Sequence, residues 1–133
     1  MSTPKTALVV DDEAQLLRLV VRVLERADWN ALSAETAADA LEIFRDRATE
    51  IDLVLLDVNL AGRGGAAELL PELLAIKPEL AVVVMSGDAL PEALSEALDA
   101  AGGVFLRKPF VPRTLIRFLD EVRLEAPAGA GKE

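Results

Sequence analysis

Leu53-Val54-Leu55-Leu56-Asp57 is apolar at four successive positions and then ends on a carboxylate. A strand with one wet face alternates apolar and polar residues. One that is apolar throughout is covered on both faces, the condition of a parallel sheet between helix layers. Ala7-Leu8-Val9-Val10, Ala81-Val82-Val83-Val84-Met85 and Val104-Phe105-Leu106 share this character. Asn30-Ala31-Leu32-Ser33-Ala34 is more polar and reads as an edge strand.

Segments of helical period lie between these runs. From Glu13 to Ala27, residues Leu16, Leu19, Val20, Val23, Leu24 and Ala27 fall on one face,. Thr36 with Asp39 resembles a capping box opening the helix that carries Ala40, Leu41 and Phe44,. A third helix is expected from about Ala66 to Ile76, with Pro71 kinking it or marking its start,. Pro91 suits the first turn of a fourth, which runs through Leu94 and Leu98 to a Gly102-Gly103 stop,. Pro112 opens a fifth, with Leu115, Ile116, Leu119 and Val122 as its buried stripe. Strand and helix thus alternate five times in 133 residues, one domain's length,. Right-handed crossovers make this a doubly wound α/β sandwich.

Composition narrows the chemistry. Hydrophobic residues are 52% and charged residues 28%, a globular balance,. Fourteen basic residues against 23 acidic give a net charge of −9, which disfavours sequence-independent binding to nucleic acid or anionic lipid,. With no Cys and no His there is no disulfide, no thiolate nucleophile and no imidazole base,. No apolar run reaches the roughly 18 to 20 residues of a membrane span, and Met1-Ser2-Thr3-Pro4-Lys5 opens no signal peptide,. A cytoplasmic protein is expected.

The polar residues then fall in a pattern. Four of the buried strands end in Asp11-Asp12-Glu13, Asp57, Ser86 and Lys108. Open α/β sheets gather their functional groups beyond the carboxyl ends of the strands, where strand order reverses. A single Asp or Ser at a strand end is ordinarily a turn or cap residue. Four strand ends converging is a different matter. Closely spaced carboxylates raise one another's pKa unless a cation sits among them, and an oxygen-only site suits Mg2+.

Leu8-Val9-Val10-Asp11-Asp12-Glu13, Asp57-Val58-Asn59-Leu60, Met85-Ser86-Gly87 and Phe105-Leu106-Arg107-Lys108-Pro109-Phe110 together resemble the receiver domain of bacterial two-component response regulators. The resemblance covers residues 5–124 and leaves 125–133 as a flexible tail. It implies a flavodoxin/CheY-like fold: one five-stranded parallel sheet in the order 2-1-3-4-5, flanked by five helices. It also implies that Asp57 accepts a phosphoryl group from a histidine kinase or a histidine phosphotransfer protein. Asp12, Asp57 and the backbone carbonyl of Asn59 would bind Mg2+ directly, and Asp11 through water. Lys108 and Ser86 would hold the phosphoryl group, Ser86 and Phe105 would act as the switch, and Asn59 and Asp88 would tune attack by water. The Lys108–Pro109 peptide is cis in relatives.

In the same family the first helix helps to dock the donor, so Leu17 and Val21, rimmed by Arg18 and Arg22, are either that surface or part of the core. The implied protein is a stand-alone signalling module rather than an enzyme, acting on a downstream protein or passing the phosphoryl group on. It is expected to be a monomer or a phosphorylation-dependent dimer, with no direct contact to nucleic acid or membrane. Three positions depart from the common pattern: Ala61 for Pro, Ser86 for Thr and Phe105 for Tyr.

Two other classes fit less well. A phosphohydrolase with an aspartyl nucleophile wants a second acid two residues on, where this chain has Asn59, and a cap domain. An FMN binder wants a hydroxyl-rich phosphate loop after the first strand, where Asp11-Asp12-Glu13 would repel the phosphate,. Gly62-Arg63-Gly64-Gly65 and Gly129-Ala130-Gly131-Lys132 lack the context of a phosphate loop and read as turn and tail,. Trp29 is expected in the core, far from the acidic cluster.

Overall fold

The computed structural model describes residues 4–60 and 65–131, with side chains described through Glu121. Ala61, the Gly62-Arg63-Gly64 stretch expected to turn, the side chain of Val122 and Lys132 lie outside the described residues. The elements are β1 (Thr6–Val10), α1 (Ala14–Arg26), β2 (Asn30–Ala34), α2 (Ala37–Arg47), β3 (Leu53–Asp57), α3 (Gly65–Ile76), β4 (Ala81–Ser86), α4 (Glu92–Ala100), β5 (Val104–Arg107) and α5 (Pro112–Gly131). All neighbouring strands pair in parallel, in the order β2-β1-β3-β4-β5.

The continuous apolar runs divide by alternation into two cores. Leu8, Val10, Val54, Leu56, Val82 and Val84 face one side with Phe44 of α2, Leu70 and Leu73 of α3, and Leu94 and Leu98 of α4. Ala7, Val9, Leu53, Leu55, Val83 and Met85 face the other with Leu17, Val20 and Leu24 of α1 and Leu115 and Leu119 of α5. Both faces of β1, β3 and β4 are dry, so their sequences show no polar alternation,. Trp29 is buried in the α1/α5 core.

Helix ends are set by local chemistry. Thr36 caps α2, its Oγ1 accepting from the Asp39 amide at 3.1 Å,. α1 and α4 both end in the same doubly bonded turn. The Asp28 and Trp29 amides reach the Glu25 and Leu24 carbonyls, and those of Gly102 and Gly103 reach Asp99 and Leu98. Asp28 (φ 69°) and Gly102 (φ 68°) supply the left-handed residue this motif needs,. At the sheet's far end, Lys77 donates from Nζ to the carbonyls of Ala48 (2.9 Å) and Ile51 (2.6 Å), satisfying acceptors just past α2,.

The helices depart from expectation in three places. α1 is rolled by about one residue: Leu17 is buried, while Leu19 is 41% exposed. In α5, Leu115 and Leu119 are buried but Ile116 is 38% exposed, and Phe118 takes the half-buried place beside them. α3 by contrast spans the expected stretch with Pro71 inside it, and burial of Ala66, Leu69, Leu70 and Leu73 holds the helix through the proline. α5 continues past Leu124 to Gly131, through the stretch expected to be tail. Leu124, Glu125 and Ala126 are good helix formers and continue the preceding turn,.

Gly103 marks how tightly α4 joins β5. A Cβ there would collide with the Leu98 side chain and lie 2.9 Å from the Val82 carbonyl oxygen. Gly103→Ala is expected to cost about 1–3 kcal/mol through overpacking, measured as a lowered urea midpoint at unchanged m-value.

Candidate functional site

The site is a consequence of register. Val10 lies opposite Leu56, so the next residues, Asp11 and Asp57, leave adjacent strands side by side. Ser86 lies opposite Arg107, and Lys108 follows at the end of β5. β1 connects outward through α1 to β2 on one flank, while β3 to β5 lie on the other. Asp11 and Asp57 therefore stand at the point where strand order reverses,.

Asp11 is fully buried and Asp57 is 3% exposed, while Asp12 faces solvent. One carboxylate oxygen from each of the three lies within 4.8 Å of the others. Lys108 reaches into this cluster from β5. Its Nζ donates to Asp11 Oδ2 at 3.1 Å, to Asp57 Oδ1 at 3.1 Å and to Glu13 Oε1 at 3.4 Å. The Glu13 amide closes a tight turn by donating to Asp11 Oδ1 at 2.9 Å. One ammonium therefore serves two buried carboxylates and a third at the rim.

Electrostatics follow from burial. Desolvation raises the Asp11 pKa above the ordinary carboxylate value, and the Asp57 charge adds to it. The Glu13 amide and Lys108 oppose the rise without cancelling it,. For Lys108, burial alone would depress the pKa. Hydrogen bonds to Asp57 and Asp11, together with their charges, overcome burial and leave it raised, so the ammonium is charged at neutral pH. Three mutually close oxygens from hard, acidic donors suit a divalent cation such as Mg2+, since a single lysine under-neutralises them,.

The other expected residues are distributed as follows. Ser86 is buried at the end of β4, but its Oγ is engaged within its own loop, donating to the Asp88 carbonyl and accepting from the Asp88 amide, both at 3.0 Å. Asn59 and Asp88 are exposed in the loops after β3 and β4. Phe105 is half-buried against the α2/α3/α4 core. The Lys108–Pro109 peptide is cis. Of the α1 quartet, Leu17 is a core residue and Val21 packs beside it, whereas Arg18 and Arg22 are exposed.

Two residues enter that sequence reasoning passed over. Glu13, in sequence only part of an acidic run, shares the lysine. Arg107 is in sequence only the neighbour of Lys108. Its guanidinium lies 5.9 Å from the centroid of the Phe105 ring, and its Nη1 donates to the Gly87 carbonyl at 3.2 Å. Strand alternation, which puts residues 105 and 107 on one face, is the signal that finds it.

Known proteins bear on this arrangement. The family model of the response regulator receiver domain matches residues 7–120. The chain is 31% identical over 121 residues to the phosphate regulon transcriptional regulatory protein PhoB of Pseudomonas aeruginosa, covering 89% of this chain and 51% of that protein. A CheY-like response regulator receiver domain protein from Methanospirillum hungatei superposes with a TM-score of 0.84 at 26% identity, over 96% of this chain and 99% of that one. The receiver domain of NtrX from Brucella abortus gives 0.77 at 36% identity, over 87% and 96%. The chain spans 51%, 18% and 28% of the length of three curated relatives that it matches.

The raised Asp11 pKa makes stability depend on pH. A carboxylate whose folded-state pKa is raised favours folding below its ordinary value and withdraws that support as pH climbs through the folded value. In chelator-treated protein at pH 7, Asp11→Asn is therefore expected to raise Tm by a few degrees. The gap should close as pH falls below the ordinary Asp range, which thermal melts across that window would measure.

Proposed function

The chain belongs to the response regulator receiver domain family, and from that membership we propose that Asp57 accepts a phosphoryl group from a histidine kinase or a histidine phosphotransfer protein. The observation that carries this reading is Lys108 Nζ standing 3.1 Å from both Asp57 and Asp11 inside a buried acidic cluster. In the step, an Asp57 carboxylate oxygen bonds to phosphorus as the bond from phosphorus to the donor's imidazole nitrogen breaks. The electron pair of that bond leaves with the imidazole, and the product is an acyl phosphate.

Each neighbouring group has a part. Burial strips Asp57 of solvent, while Lys108 donates to its carboxylate at 3.1 Å and would pair with a phosphoryl oxygen. Asp11, Asp12 and Asp57, with the Asn59 backbone carbonyl, would hold Mg2+. When bound, Mg2+ supplies positive charge that stabilises the oxygens of the transferring group. Ser86 has its hydroxyl at the adjacent strand end and must exchange its bond to the Asp88 carbonyl to reach that group. Phe105, half-buried nearby, is the ring whose packing follows the loop. Exposed Asn59 and Asp88 stand where they can influence the approach of water.

The output is a shift between two conformations rather than turnover of a substrate, so the domain works as a signalling module acting on a downstream protein. Among the described residues no helix is long and apolar enough to cross a membrane, and the proposed setting is the cytoplasm.

Intact mass after incubation with Mg2+ and acetyl phosphate tests the assignment. Wild type is expected to gain one phosphoryl mass. Asp57→Asn, or wild type with chelator present from the start, should gain none. Equal labelling of Asp57→Asn would refute the acceptor, and full labelling in chelator would refute the metal requirement.

A further inference from the structure

Arg107 closes β5 directly opposite Ser86, the last residue of β4. The next amide, that of Lys108, donates to the Ser86 carbonyl at 2.8 Å, so the two strand ends are joined by backbone up to the site. Beyond that bond the chain after β4 is exposed, from Gly87 to Ala89. Two contacts hold its first residues. Ser86 Oγ is closed onto Asp88, and the Gly87 carbonyl accepts from Arg107 Nη1 at 3.2 Å. The same guanidinium sits 5.9 Å from the centroid of the Phe105 ring. One exposed side chain thus touches both the loop that must open if Ser86 is to turn towards Asp57 and the half-buried Phe105 ring.

We propose that Arg107 is a positioning residue that latches the Gly87 loop and the Phe105 ring together in the resting arrangement. The inference rests on the reading of Asp57 as acceptor and adds to it a contact between the loop after β4 and the Phe105 ring. A phenylalanine ring has no hydroxyl with which to hold a place, so its face is the handle available, and a cation over that face is the contact that uses it. Displacing Gly87 breaks the hydrogen bond, while turning the ring breaks the cation–π contact. A change in either leaves Arg107 with one partner and lowers the cost of changing the other. Arg107 therefore couples the two parts and biases both towards rest. Contacts of this kind on an exposed side chain shift a two-state population by roughly five-fold.

The test uses the full chain in two forms, unmodified and phosphorylated. In unmodified protein, NMR of Arg107→Ala is expected to shift the Phe105 ring resonances and the Gly87 and Asp88 amides together. Arg107→Lys keeps a cation but lacks the fork that reaches both partners, and should restore at most one of the two sets of shifts. With acetyl phosphate and Mg2+, Arg107→Ala should be phosphorylated on the order of five-fold faster than wild type. In a Phe105→Leu background, which has no ring to hold, the same substitution should give a clearly smaller gain, because contacts that share a partner are non-additive. Unmoved Phe105 resonances, or equal gains in both backgrounds, would overturn the latch. If wild type took no phosphoryl group, the reading of Asp57 would fall, and the NMR of the unmodified protein would still decide the latch.

Discussion

Two carboxylates buried at the carboxyl edge of a parallel sheet are the constraint on which the rest depends. Asp11 and Asp57 are almost wholly removed from water, and in an apolar interior that burial is tolerable only with positive charge close by,. Lys108 supplies one charge to both, and its raised pKa shows that attraction from the acids outweighs the lysine's own desolvation. Asp11 remains the discontented partner, its pKa pushed up by burial despite the lysine. The site is thus under-neutralised, and an additional cation would relieve it,. The same excess negative charge that costs stability at rest makes the cluster responsive to ligands.

The scaffold delivers this arrangement through register rather than through loops. Parallel pairing of β1 with β3 puts Asp11 beside Asp57, and pairing of β4 with β5 puts Ser86 opposite Arg107, with Lys108 next in line. The dry strands behind them cannot slip by one residue without exchanging the two cores, because alternate residues serve opposite helix layers,. Packing on both faces of the sheet therefore fixes the positions of the charged groups at its edge. The loops after β3 and β4 are left to carry the exposed residues, Asn59, Gly87 and Asp88, where motion is cheapest,.

Much of this was legible in the sequence, for identifiable reasons. Runs such as Leu53–Leu56 announce doubly covered strands, and the residue after each run marks the site because parallel strands all end at one edge. What stayed hidden depends on how elements roll and on side chains meeting across strands. Leu16, Leu17, Leu19, Val20, Val21, Val23 and Leu24 crowd α1 with apolar residues, so two stripes one residue apart fit the helical period. Packing against the sheet and α5 chooses the one with Leu17 and leaves Leu19 at the surface. Ile116 is misplaced for the same reason. The engagement of Ser86 with Asp88, and of Arg107 with Gly87, depends on loop geometry that no periodicity encodes.

The central claim is that the buried carboxylate of Asp57 is the anchor for a phosphoryl group, with Lys108 and a divalent cation beside it. Beryllofluoride mimics that group without transfer chemistry, so its 19F spectrum reports on the site alone. With beryllium, fluoride and Mg2+, wild-type protein should show distinct bound fluorine resonances that vanish in Asp57→Asn and on removal of Mg2+. A spectrum holding only free species with the wild type, or bound resonances persisting in Asp57→Asn, would contradict the account.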